Sequence, residues 1–289
     1  MSITGSAISQ DKPGQDAAGM HDALGALPEW NLGDLYEGPD CPALKADFDR
    51  VGAMIATFEK LRGKVNDLDG AAFGAAIAEY EKISELCGKI ESYAQLYQSV
   101  DVSDAERGRF FQDTIDRMTD LSGKLLFFTL DIIRMDDKVL AAKMNDPAAA
   151  KYAPWVRDLR AFRGHELSDD LEKLLLDKST SGRTAWVRLY DETLAAMRCT
   201  MGAKTVTLTE ALHYLSDAGE EMRKNAAKGI GAALADKARL ITLVTNTLAK
   251  DKATEDQWRK YERPVSSRNL GNLVEDEVVD ALVAAAKSS

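Results

Sequence analysis

Long apolar runs and proline are both scarce in this sequence. No uninterrupted apolar run approaches the length of a membrane-spanning helix, so the sequence predicts no membrane partner. The chain has 7 prolines among 289 residues, whereas alanine and leucine are abundant. Because proline breaks helices and alanine and leucine favour them, the composition predicts a largely helical protein.

Cysteine is limited to Cys41, Cys87 and Cys199, which are odd in number and far apart. Without a C-x-x-C pair they support neither a zinc knuckle nor a disulfide framework, and lone thiols fit a reducing compartment. Residues 1–28 are rich in Ser, Gly, Ala and Asp and lack the basic start and apolar run of a signal peptide. We therefore expect a flexible leader and a cytoplasmic protein.

Positive charge is in deficit, with 37 Lys and Arg against 47 Asp and Glu and a formal net charge of -10 at pH 7. Binding to a nucleic-acid backbone depends on clustered Lys and Arg, which displace the counterions of the phosphates. The charges here are instead interleaved along the predicted helices, as on a solvated surface. The sequence therefore predicts no nucleic-acid partner.

Apolar residues recur at three- and four-residue spacing along most of the chain, which is the pattern of amphipathic helices. The pattern predicts one helix from about Val51 to Leu61, a second capped by Asp69, and a third that continues to Ile132. Short loops between long helices make neighbours antiparallel. We expect an all-α fold of antiparallel helical hairpins and a bundle, with at most one short extended or β segment near residues 204–208.

Several polar residues are placed to cap these helices. Ser103 with Glu106, and Thr207 with Glu210, have the spacing of a capping box, in which each side chain bonds the backbone N–H of the other residue. Asn272 is placed to cap the last helix. The buried face of that helix is predicted to be Val274, Val278, Leu282 and Ala285.

Histidine, the commonest zinc ligand, occurs only as His21, His165 and His213. His165-Glu166 begins like the zinc motif H-E-x-x-H, but Asp169 stands where the second histidine is required. No two histidines are close in sequence. We therefore predict no catalytic and no metal-binding residue in this chain.

Other catalytic and cofactor motifs are also missing. The segment Gly229-Ile230-Gly231 resembles part of a dinucleotide fingerprint, but it lies inside a predicted helix and follows no strand. We interpret it as a close contact of that helix. Neither a G-x-S-x-G nucleophile elbow nor a phosphate-binding loop occurs.

Arg263, Arg268 and Asn269 lie in an irregular polar segment between two predicted helices. Polar groups in such a segment can face a cleft, so these three residues are the candidate substrate-channel residues. The alternative is a structural network that ties the segment down, and the residue types favour that alternative.

Six stretches, taken together and in this order, carry a family resemblance. They are Trp30–Tyr36, Ser181–Glu192, Leu208–Leu212, Glu221–Ala227, Arg263–Leu270 and Glu277–Leu282. The chain resembles the amino-terminal half of oligoendopeptidase F, a family of zinc metallopeptidases related to thimet oligopeptidase. None of the stretches is a catalytic signature, so the resemblance depends on their common order.

The resemblance implies an almost all-helical peptidase whose two halves enclose a channel for short, unfolded peptides. It also implies that H-E-x-x-H and a downstream glutamate, both in the carboxyl-terminal half, bind a zinc ion that activates water. The sequence ends at Ser289, before any position that matches those residues. We therefore expect this chain to form a wall of the channel, to bind no zinc itself and to be inactive without the carboxyl-terminal catalytic half.

The resemblance also suggests a division of the chain into four parts. Residues 1–28 are the leader, 29–134 a helical hairpin array, 135–200 the oligopeptidase F N-terminal helical domain, and 201–289 the start of the catalytic region. If so, the last helix or a neighbouring one should expose an apolar face that lacks a packing partner. The alternative function is a catalytically inactive helical binding or scaffold module.

Overall fold

The computed structural model describes residues 31–288, so the leader predicted for residues 1–28 lies outside the described residues. The predicted all-α fold is confirmed. The first seven helices are α1 (Pro42–Phe58), α2 (Gly70–Ser99), α3 (Ala105–Gly123), α4 (Leu126–Arg134), α5 (Asp137–Met144), α6 (Pro147–Ala150) and α7 (Ala153–Arg160). They are followed by α8 (Asp169–Ser179), α9 (Arg183–Ala196), β1 (Arg198–Met201), β2 (Lys204–Thr207), α10 (Leu208–His213), α11 (Glu220–Trp258), α12 (Ser266–Gly271) and α13 (Asp276–Ser288).

Helix α2 is the centre of the larger hydrophobic core, and α1, α3, α5 and α6 pack against it. Its buried side chains recur at three- and four-residue spacing, as Ile83, Leu86, Ile90 and Tyr93 illustrate. Burying one such side chain is worth about 1.5–3 kcal/mol, so the stripe fixes which face of α2 turns inward.

Two of the predicted helix caps are confirmed. The carboxylate of Asp69 accepts a hydrogen bond from the backbone N–H of Ala72, 2.8 Å away, at the start of α2. Thr207 and Glu210 form the full capping box at the start of α10, with the Glu210 Oε2 atom 2.8 Å from the Thr207 backbone nitrogen. Both caps satisfy N–H groups that have no partner within the helix.

The predicted cap at Ser103 and the long third helix are both wrong. Asp104 caps α3 instead, because the Ser103 hydroxyl donates to Asp101 at 2.6 Å and is not available to the helix. That helix ends at Gly123, and the chain makes a tight turn in which the Leu125 N–H donates to the Ser122 carbonyl. The break produces the separate helix α4, whose Phe127 and Phe128 enter the core.

A β-hairpin connects the helices of the first part of the chain to the long helix α11. The predicted extended segment is confirmed as β2, which pairs antiparallel with β1, a strand that the sequence pattern did not indicate. Gly229 of α11 packs against this hairpin, where an added Cβ would lie 2.6 Å from the Thr200 carbonyl oxygen. The interpretation of Gly229 as a close helix contact is therefore confirmed. Buried residues of this second, small cluster are Cys199, Met201, Ala211 and Ala226.

The last helix exposes its apolar face. The predicted buried face is wrong, because no residue of α13 is buried and Val278 and Leu282 are 55% and 71% exposed. With Val283 at 45% exposure, the helix has the expected apolar face without a packing partner. The predicted cap at Asn272 is wrong, because Asn272 lies at the end of α12, where its N–H donates to the Arg268 carbonyl. No helix between residues 31 and 288 is both long and apolar enough to cross a membrane.

Helices α2 and α6 approach each other closely in the larger core. A Cβ added to Gly74 would lie 2.4 Å from the carbonyl carbon of Ala148, which is far inside van der Waals contact. Gly88 lies on the same helix, but an added Cβ there meets nothing within 4 Å. The two glycines therefore have different roles, although both lie inside a helix.

Gly74→Ala and Gly88→Ala should change the stability in opposite directions. Gly74→Ala forces α6 away from α2 and should lower the free energy of unfolding by about 1–3 kcal/mol. Gly88→Ala removes only the entropic cost of a glycine inside a helix and should raise it by about 0.5–1 kcal/mol. Urea unfolding of the two variants measures both values, and equal effects would contradict the close contact.

Candidate functional site

A polar cleft lies where the loop after α7 and the first turn of α8 meet the end of α11. Its volume is about 600 Å³. Apolar side chains from α4, such as Leu130 and Ile133, and charged side chains from α8, α11 and α12 line it together. Charged and polar side chains outnumber the apolar ones in this lining, so the cleft suits a ligand that offers charged or hydrogen-bonding groups.

An ion pair between Glu172 of α8 and Arg259, the residue after α11, lines this cleft. The Arg259 Nη1 and Nη2 atoms donate to the two Glu172 carboxylate oxygens at 2.7 and 2.8 Å. The Arg259 side chain is only 19% exposed and the Glu172 side chain 11%. Arg259 also donates to the Glu255 carboxylate and to the His165 carbonyl, and Glu172 accepts from the Leu167 N–H. One guanidinium thus joins the loop, α8 and α11.

His165 holds the same loop from the other direction. Its Nδ1 atom lies 2.7 Å from the carbonyl oxygen of Arg259, and because a carbonyl only accepts, Nδ1–H is the donor. The imidazole stacks on the Tyr261 ring, with 4.1 Å between centroids and 13° between planes. Lys260 has a φ of 61°, which turns the chain sharply after α11 and brings Tyr261 back onto His165. His165 is therefore a structural residue here.

The pair is permanently charged at neutral pH. Burial raises the pKa of the Glu172 carboxyl, but hydrogen bonds from Arg259 and Leu167 outweigh it and leave the pKa below its ordinary value. The hydrogen bond to Glu172 raises the pKa of Arg259, and burial raises the pKa of the Tyr261 phenol. Because a general base needs a pKa near the working pH, Glu172 is placed to hold and orient groups and not to move protons.

Arg268 is the candidate channel residue that lines the cleft. Its side chain is exposed and, among residues 31–288, forms no hydrogen bond or ion pair. Next to it, Lys252 bonds the Asp256 carboxylate at 2.6 and 2.8 Å and the Ser267 hydroxyl at 3.0 Å. The guanidinium of Arg268 is therefore available to a ligand.

Arg263 and Asn269, the other two candidates, bind the start of α13. Arg263 pairs with Asp280 at 2.7 Å and with Asp276 at 3.1 Å. Asn269 is buried, and its Nδ2 atom donates to Asp276 at 2.7 Å. These contacts form the structural network that the residue types favoured. A role for any of the three residues in a substrate channel stays a prediction.

The described residues offer no place for a metal ion. No group of three or more His, Cys, Asp and Glu side chains between residues 31 and 288 could hold one. His165 is engaged as described, His213 is exposed and packs edge-on against Tyr214, and His21 lies outside the described residues. The zinc ion that the family resemblance implies does not fit these residues, so no zinc-dependent step can be assigned to them.

The cleft itself was not visible in the sequence. Glu172 and Arg259 are 87 positions apart, and neither belongs to a recognisable motif. The one local signal was the segment that precedes α8, where the short run His165 to Ser168 separates two helical patterns. Only the three-dimensional packing brings this loop to the end of α11.

Comparison with known families and proteins supports the resemblance that the sequence predicted. The sequence profile of the family described as Oligopeptidase F matches residues 131–198. An oligoendopeptidase F homolog from Borreliella burgdorferi is 25% identical over 118 residues, which is 41% of this chain and 19% of that protein.

Two solved structures share the fold. The crystal structure of oligoendopeptidase-F from Enterococcus faecium matches with a TM-score of 0.70 and 18% identity, over 83% of this chain and 49% of that chain. The crystal structure of a putative peptidase from Chlamydophila abortus matches with a TM-score of 0.58 and 15% identity, over 90% and 44% of the two chains. The chain thus spans about half the length of these structures, and its predicted likeness to the amino-terminal half of oligoendopeptidase F is confirmed.

Glu172→Gln should destabilise the protein at neutral pH by about 2 kcal/mol, because it removes the charge that Arg259 binds. The folded-state pKa of Glu172 is lowered, so its stabilising contribution is complete above the unfolded value near 4.5 and is lost as the pH falls through the folded value. The difference in unfolding free energy between wild type and variant should therefore shrink below about pH 4.5.

The matched control is Glu79→Gln, because Glu79 pairs with Lys82 on the surface, where the side chains are 42% and 66% exposed. That change should stay within about 0.5 kcal/mol at every pH. Urea unfolding between pH 3.5 and pH 8 gives both curves. A constant effect of Glu172→Gln over this range would contradict the charged pair.

Proposed function

We propose that this chain, which resembles the amino-terminal half of oligoendopeptidase F, is the amino-terminal part of a zinc-dependent peptidase that hydrolyses short peptides. In this proposal its helices form one wall of the channel that holds the peptide. The observation that carries the proposal is the fold, which matches oligoendopeptidase-F from Enterococcus faecium with a TM-score of 0.70 over 83% of this chain.

The polar cleft supports the role of channel wall. Arg268 offers an unpaired guanidinium, which can donate two parallel hydrogen bonds to a carboxylate or bond the carbonyl groups of a peptide backbone. The Glu172–Arg259 pair next to it is held on several sides and is therefore rigid. A rigid wall positions a peptide at a lower entropic cost than a mobile one.

Exposed apolar side chains on the helices that follow α7 support the proposal that this part of the chain binds a partner. Apart from Leu174, Leu175 and Trp258, which line a cavity, the large ones are concentrated on α9 to α13 and include Leu212, Leu243 and Leu282 at 50%, 54% and 71% exposure. Apolar surface of this kind marks an interaction site. We assign it to the carboxyl-terminal catalytic half, which in this proposal supplies all the zinc ligands. We also propose a cytoplasmic location, which is supported by free thiols because these persist in a reducing compartment.

A cleavage assay with a short quenched-fluorescence peptide tests the proposal. It compares this chain alone with this chain joined to the coding sequence that follows Ser289 in the same reading frame. We expect turnover only in the joined form, and we expect a zinc chelator to abolish it. Chelator-sensitive turnover by this chain alone would contradict a catalytic site that lies outside it.

The second candidate function is an inactive helical module that binds peptides or serves as a scaffold. Both candidates agree with the lack of a cluster of metal-ligating side chains among residues 31–288, so the coding sequence after Ser289 decides between them. A stop codon directly after Ser289 would favour this module. A continuation that contains H-E-x-x-H would favour the peptidase.

Leu282→Asp should weaken the association with the catalytic half when the two are produced as separate chains. The change puts a charge into an interface that buries an apolar face, so Kd should rise on the order of tenfold or more. The control is Leu96→Asp on α2, where the leucine is 38% exposed and lies in the first part of the chain. Calorimetric titration measures both, and equal Kd values for the two variants would contradict docking on α13.

A further inference from the structure

A second cavity, mostly apolar, adjoins the polar cleft. We call it the leucine–tryptophan pocket; its apolar lining is Leu126, Leu167, Leu171, Leu174, Leu175, Leu176 and Trp258. Its volume is about 620 Å³. Glu172 and Arg259 line both cavities, so the pocket and the cleft meet at the ion pair.

The pocket exists because α8 and α11 present matching faces without packing closely against each other. Leu171, Leu174 and Leu175 are spaced by three and four residues and so lie on one face of α8. On α11, Thr254 and Trp258 form the facing side in the same way. The ion pair bridges the two elements at one end of α8, and between them the gap stays open.

The apolar walls are exposed to an unusual degree. Leu174 is 54% exposed, Leu175 39% and Trp258 60%. An exposed tryptophan beside exposed leucines in a concave site gains free energy when an apolar group covers it. The pocket is therefore built to take an apolar group.

Charged side chains of both signs line the rim of the pocket, which favours a ligand with an uncharged apolar group and polar groups beside it. Three basic side chains, Lys178, Arg183 and Arg259, balance three acidic ones, Glu172, Asp251 and Glu255. Of these, Lys178, Arg183 and Asp251 form no side-chain hydrogen bond or ion pair with any residue from 31 to 288. A free donor and a free acceptor at the edge of an apolar pocket match the C=O and N–H groups of an extended peptide.

The length of the pocket suits an extended peptide. From Leu171 to Ser179 the pocket follows α8 for about 12 Å, at the rise of an α-helix. An extended chain places about four or five residues along that length. The pocket is therefore long enough to hold a short peptide segment.

We propose that the leucine–tryptophan pocket binds one bulky apolar side chain, such as Phe or Leu, of an extended peptide, while Arg183 and Asp251 bind the adjoining backbone. The inference depends on the proposed function and adds a preference for peptides with such a residue. The neighbouring polar cleft then receives the continuation of the same peptide past the ion pair.

Binding to the complete 289-residue chain tests the proposal. The probes are two labelled pentapeptides with blocked ends, in which the central residue between glycines is Phe or Ala, and fluorescence anisotropy gives Kd. Blocked ends remove the terminal charges, so any difference reports the side chain. We expect the Phe peptide to bind on the order of 10- to 100-fold more tightly, as burial of one aromatic side chain predicts.

Two pocket variants and one control locate the site. Leu174→Asp introduces a charge into the pocket and Trp258→Ala removes its largest wall, and either change should cut the preference for Phe to about threefold or less. Leu282→Asp makes the same kind of change on the exposed face of α13 and should leave the preference unchanged. Because all three side chains are more than half exposed, the variants should keep the fold, which circular dichroism checks.

Equal Kd values for the two peptides would overturn the pocket assignment. The absence of binding by both peptides, or a preference that survives Leu174→Asp and Trp258→Ala, would also overturn it. The proposed function is decided separately by the cleavage assay on the joined chain. Turnover by the joined chain without a preference for Phe would contradict the pocket assignment and support the peptidase function. A preference for Phe without turnover would support the pocket assignment and contradict the peptidase function.

Discussion

The guanidinium of Arg259 is the contact on which the second part of the structure depends. It ends the longest helix and bonds α8 through Glu172, its own helix through Glu255, and the loop before α8 through the His165 carbonyl. Lysine could not replace it, since only a planar fork of several N–H donors satisfies acceptors in these directions together. Both cavities described above have this ion pair in their lining, so their shapes follow from one side chain.

The fold was largely predictable because its signals are local. Helical periodicity and the caps at Asp69 and Thr207 depend on residues within a few positions of one another, and the structure contains them as expected. Local competition caused the errors: Asp101 takes the Ser103 hydroxyl, which leaves Asp104 as the cap of α3. Strand β1 was missed because its partner strand, and not its own sequence, determines that it is extended.

The site was much less predictable, and the reason is distance along the chain. Arg263 and Asn269 were identifiable as polar residues of an irregular segment, but their partners Asp276 and Asp280 make them structural. Glu172 and Arg259 form the ion pair that lines the cleft, but they are 87 residues apart and no pattern in a single sequence links them. Trp258 would have been assigned to a core by its size, whereas it is 60% exposed.

Helix α11 extends from the β-hairpin to the cleft. It has 39 residues and buries only Ala226, Gly229 and Val244, so most of its length is supported by its own hydrogen bonds. Gly229 fixes one part of it against Thr200, and Arg259 fixes the other end, about 45 Å away at the rise of an α-helix. A tilt of roughly 5° about the hairpin contact displaces the far end by about 4 Å, comparable with the spacing of hydrogen-bonded groups. The close contact at Gly229 and the ion pair at Arg259 together therefore fix the direction of α11, and with it the position of Trp258 and the width of the cleft.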